Sequence, residues 1–192
     1  MTAFPDRRSA LLWARETVVA HNVVFLDTET TGVKPTDDVV DIAVISTSGE
    51  VLFQELVKPS RPIPADTAAF NGISNAMVAD APDFEEIYPA LKNLLADRVV
   101  VAYNVEFDRS MLSSAVARRG LPWLESTRWT CAMEAYAAYN GESSWHRPGF
   151  RWMSLEKATA RLGIPKPTHR ALADAEACRA VVHALARVTL DP

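Results

Sequence analysis

Five residues spread along the chain have the types and spacing to do chemistry: Asp27 and Glu29 in FLDTETTG, Asp108 in YNVEFDRSML, and His169 with Asp174 in HRALADAEA. The run VVFLD reads as a buried strand, and a carboxylate ending such a strand is costly unless a cation meets it. Glu29 stands two residues after Asp27, so both side chains leave the same strand face. Adjacent carboxylates raise each other's pKa unless something positive neutralises them. A divalent metal site answers both costs. No Cys/His cluster accompanies these acids, so the donors are hard oxygens that favour Mg²⁺ or Mn²⁺ over zinc.

The elements around these residues place them at one sheet edge. Residues 5–20 pattern as an opening helix with Leu11, Leu12, Val18 and Val19 as its apolar stripe. VVFLD, VVDIAVIST and EVLFQELV read as three strands, with Ser48-Gly49 as the hairpin turn between the last two. PSRPIPAD predicts a loop, followed by one or two short helices up to Val78. DFEEIYPALKNLLAD predicts a helix with acids in its first turn, which Pro89 would bend or delay. VVVAY is a fourth strand, and a helix over VEFDRSMLSSAVARR places Asp108 close to that strand's end. Residues 140–153 lack regular pattern and read as a mobile loop. Ser154 caps a helix ended by Gly163, and IPKPTH leads into a last helix from Ala171. Were His169 and Asp174 both helical, they would point about 140° apart, so His169 belongs to the loop before the helix, folded back over the site. Strands first, then strand–helix alternation, predict an α/β fold with a mixed central sheet.

Length and composition are those of one globular domain: 192 residues, 48% hydrophobic and 23% charged. The expected organisation is a single domain over 1–192, with an N-terminal helix in 1–21 and a core over 22–188. No apolar run is long enough for a membrane span, and the polar start MTAFPDRRSALLWARE does not resemble a signal peptide. Cys131 and Cys178 lack metal-ligand spacing and are expected to be reduced thiols in a cytoplasmic protein. Residues 1–96 carry 7 Lys/Arg against 14 Asp/Glu, and residues 97–192 carry 13 against 10. The basic excess gathers at Arg128, Arg147, Arg151, Lys157, Arg161, Lys166 and Arg170, interleaved at first with Trp129, Trp145, Phe150 and Trp152. Such a mixture suits a phosphodiester backbone and stacked bases. It equally suits a solvated face over core aromatics, and the tryptophans are expected to be packing residues. His21, His146 and His183 belong to no motif and are read as structural or solvent-exposed.

The three segments, in this order and spacing, resemble the exonuclease motifs of the DnaQ-like 3′→5′ exonucleases, the DEDD superfamily. The histidine, five residues before Asp174, is similar to the DEDDh branch, which includes polymerase III proofreading subunits and ribonuclease T. The likeness runs from Val23 to about residue 183, and Phe70-Asn71-Gly72-Ile73-Ser74 resembles the family's His-Gly-Ile-Thr segment. It implies a ribonuclease H-like fold and a two-metal hydrolysis. Asp27, Glu29, Asp108 and Asp174 would hold two Mg²⁺ or Mn²⁺ ions, with Asp108 as a supporting ligand, and His169 would be the general base. Thr28, Thr30, Thr31, Tyr103, Asn104, Phe107 and Asn71 would contact the nucleotide. Two positions depart from the family: Tyr103 precedes Asn104 where His is usual, and Asn71 replaces a common His. Altered substrate contacts are expected there.

The resemblance thus implies a nuclease acting on the 3′ end of single-stranded DNA, with RNA trimming as an alternative substrate. An alternative of another class is a catalytically silent module that binds nucleic acid or a partner. A polymerase or another replication or repair protein is a candidate partner, with the N-terminal helix as a docking surface, and the family also admits a homodimer.

Overall fold

The computed structural model describes residues 4–146 and 148–190. Its elements run α1 (Arg7–Val19), β1 (Val23–Thr30), β2 (Val39–Ser46), β3 (Val51–Leu56), α2 (Ala65–Asn71), α3 (Phe84–Leu95), β4 (Val99–Ala102), α4 (Val105–Arg118), β5 (Arg128–Cys131), α5 (Ala132–Asn140), α6 (Leu155–Leu162) and α7 (Ala171–Ala186). The strands form one sheet in the order β3-β2-β1-β4-β5. β1 pairs antiparallel with β2, and β2 with β3 across the short turn at Ser48-Gly49, whereas β4 and β5 join in parallel beside β1. The fold is α/β, a mixed sheet covered by helices on both faces.

The period of two along β1 divides the core. Val23 and Phe25 pack with Ala10 and Leu11 of α1, Tyr136 of α5, Ala158 of α6 and Val181 of α7. Val24 and Leu26 face the other way, onto Phe84, Leu91 and Leu95 of α3 and Met111 and Leu112 of α4. The same alternation continues past the apolar run. Asp27 and Glu29 therefore leave β1 toward α7, and Thr28 leaves it toward α4.

α1 is part of this core, since Ala10, Leu11, Ala14 and Thr17 are buried. The expected apolar stripe is only partly spent there: Leu11 is buried, while Leu12 and Val19 are 40% and 72% exposed. Pro89 lies inside α3 and does not delay it: Asp83 starts the helix with a capping box to Glu86, well before the proline. Two elements have no counterpart in the sequence pattern, β5 and α5. β5 is a four-residue edge strand, too short to alternate, and α5 is buried on most sides, so its sequence AMEAYAAYN has no polar face to mark a period. The stretch expected to be a mobile loop folds back on itself. Ser143 bridges Phe150, Ser144 N–H donates to the Gly149 carbonyl at 3.0 Å, and Arg151 N–H donates to the Glu142 carbonyl at 2.7 Å. Arg147 lies outside the described residues.

Trp129 is packed, its ring stacked on Trp123 with centroids 6.2 Å apart. Trp145 and Trp152 depart from the packing role expected of them, being 94% and 43% exposed. Both cysteines are free and buried. No helix among the described residues is long and apolar enough to cross a membrane.

Candidate active site

Each acid is delivered by a different element to the same end of the sheet. β1 ends in Asp27 and Glu29, and α4 opens beside it as the chain leaves β4, placing Asp108 in its first turn and 3% exposed. Thr28 locks the two together, since its amide N–H and its hydroxyl both donate to Asp108 Oδ1, at 3.0 and 2.8 Å. From the opposite face α7 brings Asp174 in its first turn. Its Oδ1 accepts from the backbone N–H groups of Thr168 and His169 at 3.0 and 3.2 Å. Those bonds fold the preceding loop over the helix start.

His169 sits in that loop, as its spacing from Asp174 required, with a left-handed φ of 56°. Such a backbone is strained for a residue with a Cβ, and the two bonds to Asp174 help to hold it. Its Nδ1 is 3.9 Å from Asp174 Oδ2, and its ring lies on Phe70 with centroids 4.0 Å apart. Glu29, His169 and Asp174 each present a ligand atom within 4.8 Å of the other two. This grouping differs from the expected all-carboxylate set: the histidine joins it, and Asp27 and Asp108 stand outside it.

The electrostatics tie the remaining acids to this group. Burial, then the charges of Asp108, Asp174, Glu29 and Asp41, push Asp27 well above the usual carboxylate range. Burial and the charge of Asp174 push Glu29 up to about 8, and burial pushes Asp108 up to about 7 despite its bonds from Thr28. Asp174 is raised by burial against the bonds it accepts. A cluster of carboxylates that resists ionising together is stabilised by a divalent cation, so this hard-oxygen donor set fits Mg²⁺ or Mn²⁺.

Beside the acids opens a cavity of about 300 Å³ lined in part by Thr28, Glu29, Thr30, Phe70, Asn71 and Phe107. Four of the expected nucleotide contacts therefore meet there: Thr28, Thr30, Asn71 and Phe107. Asn71 is 2% exposed and braces the wall, its side-chain amide donating to the Thr30 carbonyl at 3.4 Å while its oxygen accepts from Ile73 N–H at 3.0 Å. Three other residues are not brought to the cavity. Tyr103 is buried, with its hydroxyl committed to the Met153 carbonyl at 3.1 Å and its ionisation suppressed by burial. Thr31 Oγ1 accepts from Asp38 N–H at 2.9 Å and closes the turn after β1. Asn104 is exposed at the N-terminus of α4 and outside the lining.

Asp41 escaped the sequence reading, and Phe70 was read there only as part of a family-like segment and not as a wall of the site. Asp41, 1% exposed, is paired across the sheet with Glu29 and accepts from Arg170 Nε at 2.9 Å. A charge in the middle of VVDIAVIS was the signal available for it. Phe70 is 63% exposed yet walls the cavity against His169, and a large apolar side chain on a short helix after a proline-rich loop carries no periodic mark.

An α/β sheet carrying carboxylates from three elements, a histidine and an open cavity at one edge makes a candidate hydrolase site. Residues 24–182 match the RNase_T family, described as Exonuclease. An uncharacterized exonuclease of Escherichia phage 186 is 34% identical over 171 residues, covering 85% of this chain and 88% of its own. A DNA polymerase III subunit epsilon-like protein of Rhodobacter capsulatus is 36% identical over 162 residues, 79% of this chain but 22% of that longer protein. Among solved structures, exonuclease X in complex with 5′-overhanging duplex DNA matches with a TM-score of 0.58 and 27% identity, over 83% of this chain and 89% of that one. Escherichia coli exonuclease I bound to a dT13 oligonucleotide shares the fold, with a TM-score of 0.66 and 21% identity over 82% of this chain and 39% of that one. The chain belongs to the RNase_T exonuclease family, within the DnaQ-like superfamily.

Proposed function

We propose that the chain is a metal-dependent 3′→5′ exonuclease that removes nucleoside 5′-monophosphates from single-stranded DNA, with residues 1–192 acting as one catalytic domain. The observation that carries this reading is the gathering of Asp27, Glu29, Asp108 and Asp174 with His169 beside a cavity of about 300 Å³. The four carboxylates would hold two divalent ions. When bound, such ions polarise the scissile phosphate and lower the pKa of water. The 3′-terminal nucleotide enters the cavity between Phe70 and Phe107, against Thr28 and Thr30. His169 accepts the proton of the attacking water as the new P–O bond forms, and the P–O3′ bond breaks; the departing 3′-oxygen takes a proton from solvent to become the 3′-hydroxyl of the shortened strand. Asp174 faces the protonated imidazole from 3.9 Å and stabilises its charge.

DNA is favoured as substrate by the polymerase III-like relative and by the DNA held in the exonuclease X structure. Two free, buried cysteines suit work in a reducing cytoplasm. The test is digestion of matched single-stranded DNA, single-stranded RNA and duplexes, each blocked at the 3′ or the 5′ end, with Mg²⁺, Mn²⁺ or EDTA. Shortening from unblocked 3′ ends of DNA is expected with metal only, and none with Asp27→Ala. Shortening of RNA in preference would reassign the substrate, and intact strands under every condition would leave a binding module.

A further inference from the structure

We propose that the basic pocket beside α6, together with Trp145, grips the substrate strand upstream of the 3′ end. This deepens the exonuclease reading and rests on it. The pocket has a volume of about 400 Å³ and is lined by Arg151, Trp152, Met153, Ser154, Lys157 and Arg161 among others. Arg151 and Arg161 share one carboxylate, Glu142, at 3.5 and 3.0 Å. Lys157 forms no ion pair among the described residues. Three cations against one acid leave the pocket positive. The Arg151 and Arg161 side chains are 63% and 50% exposed, so a phosphate can reach them.

Trp145 supplies the second element. The bridge between Ser143 and Phe150 closes the loop that carries it, and the indole is 94% exposed. Exposing an indole forfeits a large apolar burial unless a partner covers it. Cations that track a backbone and an aromatic ring on which a base stacks are together the requirements of single-strand binding.

The position of the pocket connects it to the acids. Tyr103 follows β4, which runs parallel to β1, so Tyr103 and the pair Asp27 and Glu29 lie at the same end of the sheet. The Tyr103 hydroxyl donates to the carbonyl of Met153, which lines the pocket. The chain leaving α6 is also the one that carries His169. A strand whose 3′ nucleotide sits by Glu29 can therefore run toward α6, where positive charge offsets the repulsion between its phosphates and the carboxylates.

The experiment is fluorescence anisotropy of a 5′-labelled single strand of about 12 nucleotides, in EDTA so that it stays intact, over a series of salt concentrations. Lys157→Ala and Arg151→Ala are each expected to weaken binding severalfold and to lower the slope of log K against log salt by about 0.7. Trp145→Ala is expected to weaken binding roughly tenfold with the slope unchanged. Circular dichroism of each variant checks the fold. Hydrolysis of a nucleotide nitrophenyl ester, which has no upstream strand, tests the catalytic reading separately with the wild-type protein. Variants that bind like the wild type, or a wild type that does not bind the strand, overturn the pocket while an active ester assay leaves the exonuclease standing. A wild type that binds through these residues but hydrolyses neither ester nor strand sinks the catalytic reading and keeps the pocket.

Discussion

Arg170 reaches across the edge of the sheet to Asp41, donating from Nε at 2.9 Å to an oxygen that also accepts from Ala171 N–H at 3.3 Å. The residue next to His169 is thereby fastened to the strand that neighbours Glu29. The other Asp41 oxygen is buried without a partner, so the aspartate depends on this one set of contacts.

Removing either partner has unequal consequences. Arg170→Ala leaves a charged Asp41 at 1% exposure, and its expected cost is about 3 kcal/mol, the low end for a broken buried pair because Arg170 is itself 35% exposed. Asp41→Asn removes the buried charge and should cost about 1–2 kcal/mol. Urea unfolding of both variants measures the difference, and equal losses would contradict it.

Stability of the metal-free protein should fall as pH rises. Glu29, Asp27, Asp108 and Asp174 all have raised folded-state pKa values, so the folded state holds protons that the unfolded chain releases. Their contribution is complete below the ordinary carboxylate range and is lost as pH climbs through about 7 and about 8, the values of Asp108 and Glu29. A divalent ion relieves the repulsion among the ionised acids. The rise in Tm on adding Mn²⁺ should therefore grow between about pH 5 and about pH 9. A rise independent of pH in thermal melts would separate metal binding from these carboxylates.

His169→Ala should reduce turnover by about 10²–10⁴, the range for losing a general base. Because the ring lies within 4.8 Å of ligand atoms on Glu29 and Asp174, metal binding needs its own measurement. Calorimetric titration of Mn²⁺ into the variant should give nearly wild-type affinity. A parallel loss of affinity would make the histidine a ligand.

Thr28→Val keeps the shape of the side chain and deletes one of the two donors on Asp108 Oδ1. The backbone donor stays, so Asp108 should remain in place with a higher pKa. About a tenfold drop in kcat/KM is expected, on the scale of one hydrogen bond to a charged group. An unchanged rate across neutral pH would show that this bond does not poise the carboxylate.

Asp27 and Glu29 were legible because charges end an apolar strand, whereas Asp108 and Asp174 open helices as first-turn acids ordinarily do and stood out only through the joint order and spacing of the three motifs. Strands β1 to β4 were legible through dense Val and Ile. β5 and α5 were not, since a four-residue edge strand and a helix buried on most sides have no period to read. Tyr103 illustrates a different limit: its place in a motif suggested a substrate contact, while the packing of Met153 decided its environment. Whether an aromatic is half-buried against the core, as Trp129 is, or exposed, as Trp145 is, depends on partners distant in the chain.

The clustered acids are drawn from β1, α4 and α7, elements far apart in the sequence. Asp174 belongs to α7, and His169 and Arg170 to the loop just before it. A site drawn from elements so distant in sequence exists only while they stay packed together, so local opening of α7 alone would disperse it.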